Sequence, residues 1–501
     1  MTKRGNTKYQ LLLRNSKKYK NIKFRRNRKV IYKGKLFFLQ YESTNKKNIQ
    51  KAVKVLKIRG IQAAHIKLLR RSQKKSQYII SYDKPKDETW FKALDYSIAQ
   101  SKLRFETHIL DSDYESNYLD FLTGAELNSD SYEGKIMFRA SSLTEKNENN
   151  KFSDSELELD ETYINRTIGD GQITIGKQLF SWGVFDEFSN FDRVNIKNLK
   201  RFIFDSGEDY RRPITAIRYE HYLSDWKVDF FFNFGNETGK ILSEDSIWFG
   251  VDREEGLIRG GDTSIIDPNL IKFVSIHQND NIENGHGLRL SHSGAGDFSI
   301  TYLRAYADLP ILKFSNKLKS EINSNSISPS GLNSGVELLF VNEDVFGLDY
   351  VRTIGEQLYK LEFSYIPNSL VVSKELDLIE VQKGRFSVGG DIELNLFSTT
   401  IVWQLIHEKT MSSDQLFLND TLTQSIIHTS SRFNADKLET GVRFVFNNND
   451  NSSYLSPYLN YEINDSNTLG GSYNHFNGES DSFYGYHKNE SFMALNYSYI
   501  F

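Results

Sequence analysis

The residues best placed to do chemistry in this sequence are its charged side chains, because the usual catalytic groupings are missing. There is no cysteine, which excludes disulfides, thiolate metal sites and cysteine nucleophiles. The 10 histidines are scattered, with no HExxH and no pair at ligand spacing on a helix. No GxSxG elbow occurs. Gly169-Asp170-Gly171 reads as a tight turn, Gly260-Gly261 as a loop element and Asp267-Pro268-Asn269 as a turn. The acidic run Asp154–Glu161 lacks the spacing of a calcium loop and reads as a solvated face. The expectation is a non-enzyme with no cofactor and no metal centre.

The pattern lies in how charges alternate with apolar residues. Trp226, Val228, Phe230, Phe232 and Phe234 share one side, against Lys227, Asp229 and Asn233. Phe386, Val388, Ile392 and Leu394 oppose Arg385, Asp391 and Glu393. Tyr359, Leu361, Phe363 and Tyr365 oppose Lys360 and Glu362, and Ile401, Trp403 and Leu405 oppose Thr400 and Gln404. A period of two places one greasy and one polar face on each strand. Arg139, Arg218, Glu220 and Arg289 fall on the polar side by the same rule. If the strands span a membrane, a lipid-facing charge near the midplane would cost roughly 2–4 kcal/mol, so these side chains face inward. Rings of both signs then set up a transverse field that sorts small polar or charged solutes. The plainer reading is a solvated wall of cross-strand pairs worth about 0.2–1 kcal/mol each.

The elements that carry these residues run from about 113 to 501. The strands reach about ten residues and come in pairs joined by very short turns such as Leu223-Ser224-Asp225 or Asn395. Long connections at 181–212, 236–283, 307–333 and 409–423 separate the pairs. Short turns at one end and long loops at the other mark an antiparallel transmembrane β-barrel, here of about 16–18 strands. The short–long alternation breaks between Val341 and Arg385, and Pro457 interrupts an otherwise good strand. Composition agrees: Phe (35) and Tyr (27) are frequent and Pro (7) is rare in a polar chain, as strands and aromatic girdles require. No apolar run is long enough for a membrane helix.

The net charge of −2 conceals a division. Residues 1–75 hold 25 Lys or Arg and one acid, Glu42, leaving 38 bases and 64 acids for the rest. Two modules with different partners are expected. Residues 1–30 read as a basic disordered arm. Residues 31–112 read as a small α+β domain of order βαββαβ, ferredoxin-like: strand Lys35–Tyr41, helix Asn45–Arg59 capped by Gly60, strands Ala64–Leu69 and Tyr78–Tyr82, helix Asp87–Lys102 and a last strand Leu103–Leu110. Within 1–35 the longest apolar run is Leu11-Leu12-Leu13, too short for a secretory h-region, which stands against an exported destination.

Three resemblances follow. The strand FFLQYESTNKKN and the helix ending KVLKIRGI resemble the SPOR-type peptidoglycan-binding repeat; an RNA-binding module of the same topology and a plain anchor to an anionic surface are the rivals. Met493, Leu495, Tyr497, Tyr499 and terminal Phe501 share a face, which resembles the carboxy-terminal strand that bacterial outer-membrane proteins present to the barrel-assembly machinery. Ile173–Arg193, ITIGKQLFSWGVFDEFSNFDR, with Asn195 and Asp209-Tyr210-Arg211-Arg212-Pro213 further on, resembles porin-like barrels related to alginate exporters. Lys177 stands where that family has Arg, and Ile196 where it has Pro. The resemblance implies a long loop beside the lumen, with Lys177, Gln178, Trp182, Asp186, Asp192, Arg211 and Arg212 near a constriction. The alternative is that these residues fasten the loop, with Asp186 and Asp192 paired to Arg211 or Arg212. The expected function is an outer-membrane channel for small hydrophilic or charged solutes, with outer-membrane lipid as its surroundings. An envelope-anchoring protein and a barrel hydrolase are the alternatives, the latter disfavoured because His221 and His407 fall on the greasy face.

Overall fold

The structure, a computed structural model, describes most of residues 95–501, with gaps inside the loops, and the backbone of four strands before residue 82. The chain divides into two compact units, one of Met1–Asp95 with Asn128–Ser131 and one of Tyr96–Leu127 with Tyr132–Phe501.

In the first unit Arg28–Lys33 pairs antiparallel with Leu36–Tyr41, and His65–Ser72 with Lys75–Ser81. The second hairpin is the one expected around 64–82. Arg28–Lys33 is an extra strand, so the expected basic arm ends before residue 30. The expected helix Asn45–Arg59 lies outside the described residues.

In the second unit eighteen spanning strands among the described residues close into an antiparallel barrel. They are β1 Lys102–Ile109, β2 Glu115–Asn128, β3 Tyr132–Lys146, β4 Lys151–Ile168, β5 Gly171–Gln178 and β6 Ile214–Leu223. Next come β7 Trp226–Asn233, β8 His286–His292, β9 Asp297–Tyr306, β10 Asn342–Ile354, β11 Gln357–Val372 and β12 Leu378–Leu394. The last six are β13 Thr399–Met411, β14 Thr421–Phe433, β15 Leu438–Asn447, β16 Ser452–Asn464, β17 Asn467–Asn477 and β18 Phe492–Ile500.

Two sequence expectations are corrected at the seam. Leu103–Leu110, expected to end the small domain, forms β1, the first barrel strand, so the barrel starts at Lys102 and not after residue 112. The expected helix Asp87–Lys102 gives way over its described part to a short strand, Asp95–Ile98. The physical reason is the free edge of β18. An unpaired edge in lipid leaves a row of backbone groups unsatisfied, and β1 covers it from Met493↔Ile109 to Ile500↔Lys102. Ser101 and Phe501 then exchange both backbone hydrogen bonds at 3.0 Å.

One end of the barrel carries turns of two to four residues, the other the loops 179–213, 234–285 and 307–341. The alternation of ends holds through Val341–Arg385. The connection 373–377 belongs to the loop end and is merely short. Its strands were hard to read because the β11–β12 register slips between Ile366 and Ser369. Pro457 sits within β16 opposite Val442, and the register toward β17 is interrupted beside it, between Leu455 and Tyr458, as a residue without an N–H requires. Outside, the alternating side chains form an exposed apolar belt, for example Leu361, Phe363, Phe386, Leu405 and Leu495. No described helix is long and apolar enough to cross a membrane; the strands supply that belt. Above the rim, Ile276–Asn279, Val336–Leu339 and Ile311–Phe314 form a small sheet. With α1 Asn316–Asn323 and α2 Pro329–Ser334, it packs around Phe314, Leu318 and Val336.

Candidate functional site: a lumen crossed by one loop

The site is the barrel interior, and its centre is the loop 179–213 between β5 and β6. The loop is closed at its base by a side chain. Asn195 Oδ1 accepts the Phe180 N–H at 2.8 Å, and its Nδ2 donates to the Phe180 carbonyl at 2.6 Å. Trp182 packs edge-on against Phe231 and donates Nε1–H to Asp229 at 3.1 Å. Phe231 points inward, against the greasy-out alternation of β7, because the loop covers it.

The tip is held by one carboxylate on β11. Glu362 Oε1 accepts from Val184 N at 2.6 Å and Ser189 Oγ at 2.8 Å, and Oε2 accepts from Asn190 N at 2.6 Å. Gly183 makes this possible: its φ is +98°, and a Cβ there would meet Ser189 Oγ at 1.9 Å. Asn190 also donates to the Arg385 carbonyl and accepts from Ser387, while Arg385 donates to the Phe188 carbonyl at 3.0 Å. On β15, Arg443 donates to Glu187 and to the Ile203 carbonyl.

The far limb is held by ion pairs. Arg193 bonds Glu343 of β10, which also accepts from Ser369. Arg201 bonds Glu106 of β1 at 2.6 Å, pairs with Asp205 at 3.0 Å and lies 4.1 Å over the Tyr118 ring. Lys200 pairs with Asp154 at 2.5 Å and Arg212 with Glu158 at 3.3 Å, and Lys240 of loop 234–285 meets the same Glu158 at 2.6 Å. The acidic run Asp154–Glu161, expected to be a solvated face, is corrected: it lies in β4, with Asp154, Glu156, Glu158 and Asp160 as a ladder of carboxylates facing bases. The loop thus meets strands all round the wall. Apolar inward positions lie beneath it: Phe231, Leu303 and Val345 on one side, and Ile406, Val445 and Phe476 on the other.

The expected lumen residues sort clearly. Arg139 faces inward and bridges Asp120 at 2.8 Å and Asp160 at 2.7 Å. Arg218 pairs with Asp229 at 2.5 Å, and Lys227 with Glu220 at 2.5 Å. Arg289 meets Asp349 at 2.9 Å. Lys360 pairs with Asp391 at 2.9 Å and with Asp186 at 3.3 Å. Gln178 is buried and donates to the Ala216 carbonyl, so it ties the wall. Arg211 pairs with Asp192 at 2.8 Å, the fastening alternative for that pair, whereas Asp186 reaches Lys360. Lys177 is a correction: it shares the outer face with Ile173 and Ile175 and donates to the Leu159 carbonyl at 2.9 Å. A lysine near the strand end can run its stem along the apolar belt to reach such an acceptor.

Several lumen residues were missed. Lys102, Arg104, Glu106 and His108 alternate with Leu103, Phe105 and Ile109 in β1, and their place in the barrel follows from the pairing with β18. Glu343, Asp349 and Arg443 needed the strand register.

The loop end holds one more buried contact. His487 is completely buried, accepts from Arg259 at 3.2 Å on one ring nitrogen and faces Glu490 at 3.6 Å with the other. Burial, then the neighbouring guanidinium, keeps its imidazole well below the ordinary histidine range. Burial brings Arg259 down to about 10.

The chain matches no protein-family model and no curated protein. Among solved structures it is similar to Acinetobacter baumannii OccAB3, at 7% identity over 81% of this chain and 99% of that one, with a TM-score of 0.44. It is also similar to Pseudomonas aeruginosa OccK5 (OpdH), at 8% identity over 82% and 98%, TM-score 0.44. A BenF-like porin from Pseudomonas fluorescens Pf-5 aligns at 7% identity over 81% and 98%, TM-score 0.44.

Proposed function

We propose that this chain is a bacterial outer-membrane channel for small polar or charged solutes. One observation carries the reading: a closed barrel, apolar outside and charged inside, whose lumen is crossed by a loop pinned to the wall from many sides. Barrels of this strand number leave an aqueous lumen unless something fills it, and a wall-anchored loop narrows that lumen to a selective passage. Polar groups of both signs line the narrowed part. The segment whose residues resemble alginate-export-related barrels, Ile173–Arg193, spans the end of β5 and the first part of this loop, which supports the reading. The strand ending in Phe501 is the segment to be read by the assembly machinery. The test is single-channel conductance of the detergent-purified chain in planar bilayers, with heat-dependent gel migration as the control for a closed barrel. A folded, heat-modifiable barrel that never conducts sinks the channel reading.

The basic segment supports a second role at the same envelope. With 25 bases and one acid in residues 1–75, it suits an anionic layer, and the SPOR-like stretch makes peptidoglycan the first partner to try. Co-sedimentation of the full chain with isolated sacculi tests this, and no enrichment over a neutral polysaccharide rejects it.

A further inference from the structure

We infer that the passage is cation-selective, and that the selectivity is set at the turn end of the barrel. The inference rests on the channel reading and adds the class of solute. In the turn-side half of the wall every inward base among the described residues already has its carboxylate. The pairs of Arg218, Lys227, Arg289 and Lys360 are given above, and Lys135 meets Glu161 at 2.5 Å while Arg432 meets Glu439 at 3.4 Å. Lys102 meets Asp209 at 2.9 Å.

The acids are not balanced in return. Glu126, Glu133, Glu393 and Glu462 have no base within ion-pair distance among the described residues. The register turns them inward. Glu133 lies opposite buried Asn165, and Glu393 is two residues beyond Asp391, opposite Thr400. Glu462 lies opposite Thr468, four residues beyond Tyr458, which bonds Glu439. Glu126 follows Leu122, the partner of Lys102, by one inward step and then another. Glu133, Glu393 and Glu462 are exposed. The turns at the same end add Asp170, Asp225, Glu356, Asp436 and Asp465 against the single base Lys437.

Paired charges cancel within a few ångströms, so among the described residues the wall at this mouth contributes the field of its unmatched carboxylates. Such a field concentrates cations and repels anions at an entrance bounded by low-dielectric walls. Salt screens it over about 10 Å at 0.1 M, so the preference is strongest in dilute salt and fades as salt rises. A purely steric filter has no such dependence.

The experiment is the reversal potential of the full chain in a planar bilayer under a potassium chloride gradient. The expected potassium-to-chloride permeability ratio is at least about 3 in dilute salt. The variant E126Q/E133Q/E393Q/E462Q is expected to lower it clearly toward unity while conductance persists, the turn acids keeping a residual preference. The milder E393Q/E462Q, expected to give an intermediate ratio, covers the case in which the fourfold variant fails to fold. A conducting channel with no cation preference overturns the inference and leaves the channel reading standing, as does a preference that both variants leave unchanged. Anion preference, the sign expected if residues 1–75 governed the ions, does the same. Absence of any conductance overturns the channel reading itself.

Discussion

Glu362 shows how much one lumen residue can hold. Three donors from the loop converge on its carboxylate, and hydrogen bonds to a charged group contribute about 1.5–3 kcal/mol. Glu362→Gln keeps the shape but turns an amide N–H toward one of those donors. The loop tip is expected to detach part of the time, so that single-channel records gain frequent current steps the parent lacks; a quiet variant trace would show that the other anchors suffice. His487 gives a pH dependence of defined sign. His487 lies in the connection 478–491, packed against Arg259 and Trp248 of loop 234–285; its imidazole is held neutral while the two stay docked, whereas a released histidine titrates near 6.5. The released state therefore binds the extra proton, and docking is undiminished above that pH. It weakens as pH falls below about 6.5 toward the depressed value. Trp248, whose ring lies 5.1 Å from that of His487, reports the release by fluorescence. His487→Gln, which can still accept from Arg259, should flatten the profile over that window.

At the level of the strand, the alternation makes a sharp claim about β11. Leu361 lies on the outer face between Tyr359 and Phe363, so Leu361→Arg should cost roughly 2–4 kcal/mol. The folded, heat-modifiable band should shrink in a urea titration, and an unchanged midpoint would mean that this face never meets hydrocarbon. Strands such as β7, β11 and β12 were legible in the sequence because lipid outside and water inside impose a strict period of two. The barrel, its short turns and its long loops followed from that. Legibility failed wherever another demand overrode the period. Phe231 points inward because loop 179–213 buries it, and Phe476 because that loop, Trp248 and His487 do; an inward Phe reads as noise until the loops are known to be there. β1 was misassigned because its own pattern gives no sign of which edge it will pair with. The inner face of the regular strands was legible from the alternation, and Lys177, near the end of its strand, lies on the outer face. The partners of the inward charges could not be named, because a pair such as Arg289–Asp349 depends on strands 60 residues apart.

For the whole molecule the central question is how a barrel of this width is kept narrow, and the inner wall supplies the answer. A lumen holding only water would carry polar groups throughout, yet Phe231, Val345, Ile406, Val445 and Phe476 face inward and are buried. These positions are favourable only while they stay covered, Phe231 and Val345 by loop 179–213 and Ile406, Val445 and Phe476 by that loop together with Trp248 and Tyr484, because each would otherwise return apolar surface to water at about 25 cal/mol per Å². Closure, loop insertion and wall chemistry therefore form one cooperative arrangement. Replacing 184–203 with a short Gly-Ser bridge should have two linked effects. Conductance should rise several-fold, roughly to that of an unobstructed barrel, and the thermal midpoint of the heat-modifiable band should fall because the uncovered apolar positions lose their packing. An increase in conductance without loss of stability would mean that the loop is a removable gate resting on the wall. A loss of stability without greater conductance would mean that the passage runs elsewhere, beside the loops 234–285 and 307–341.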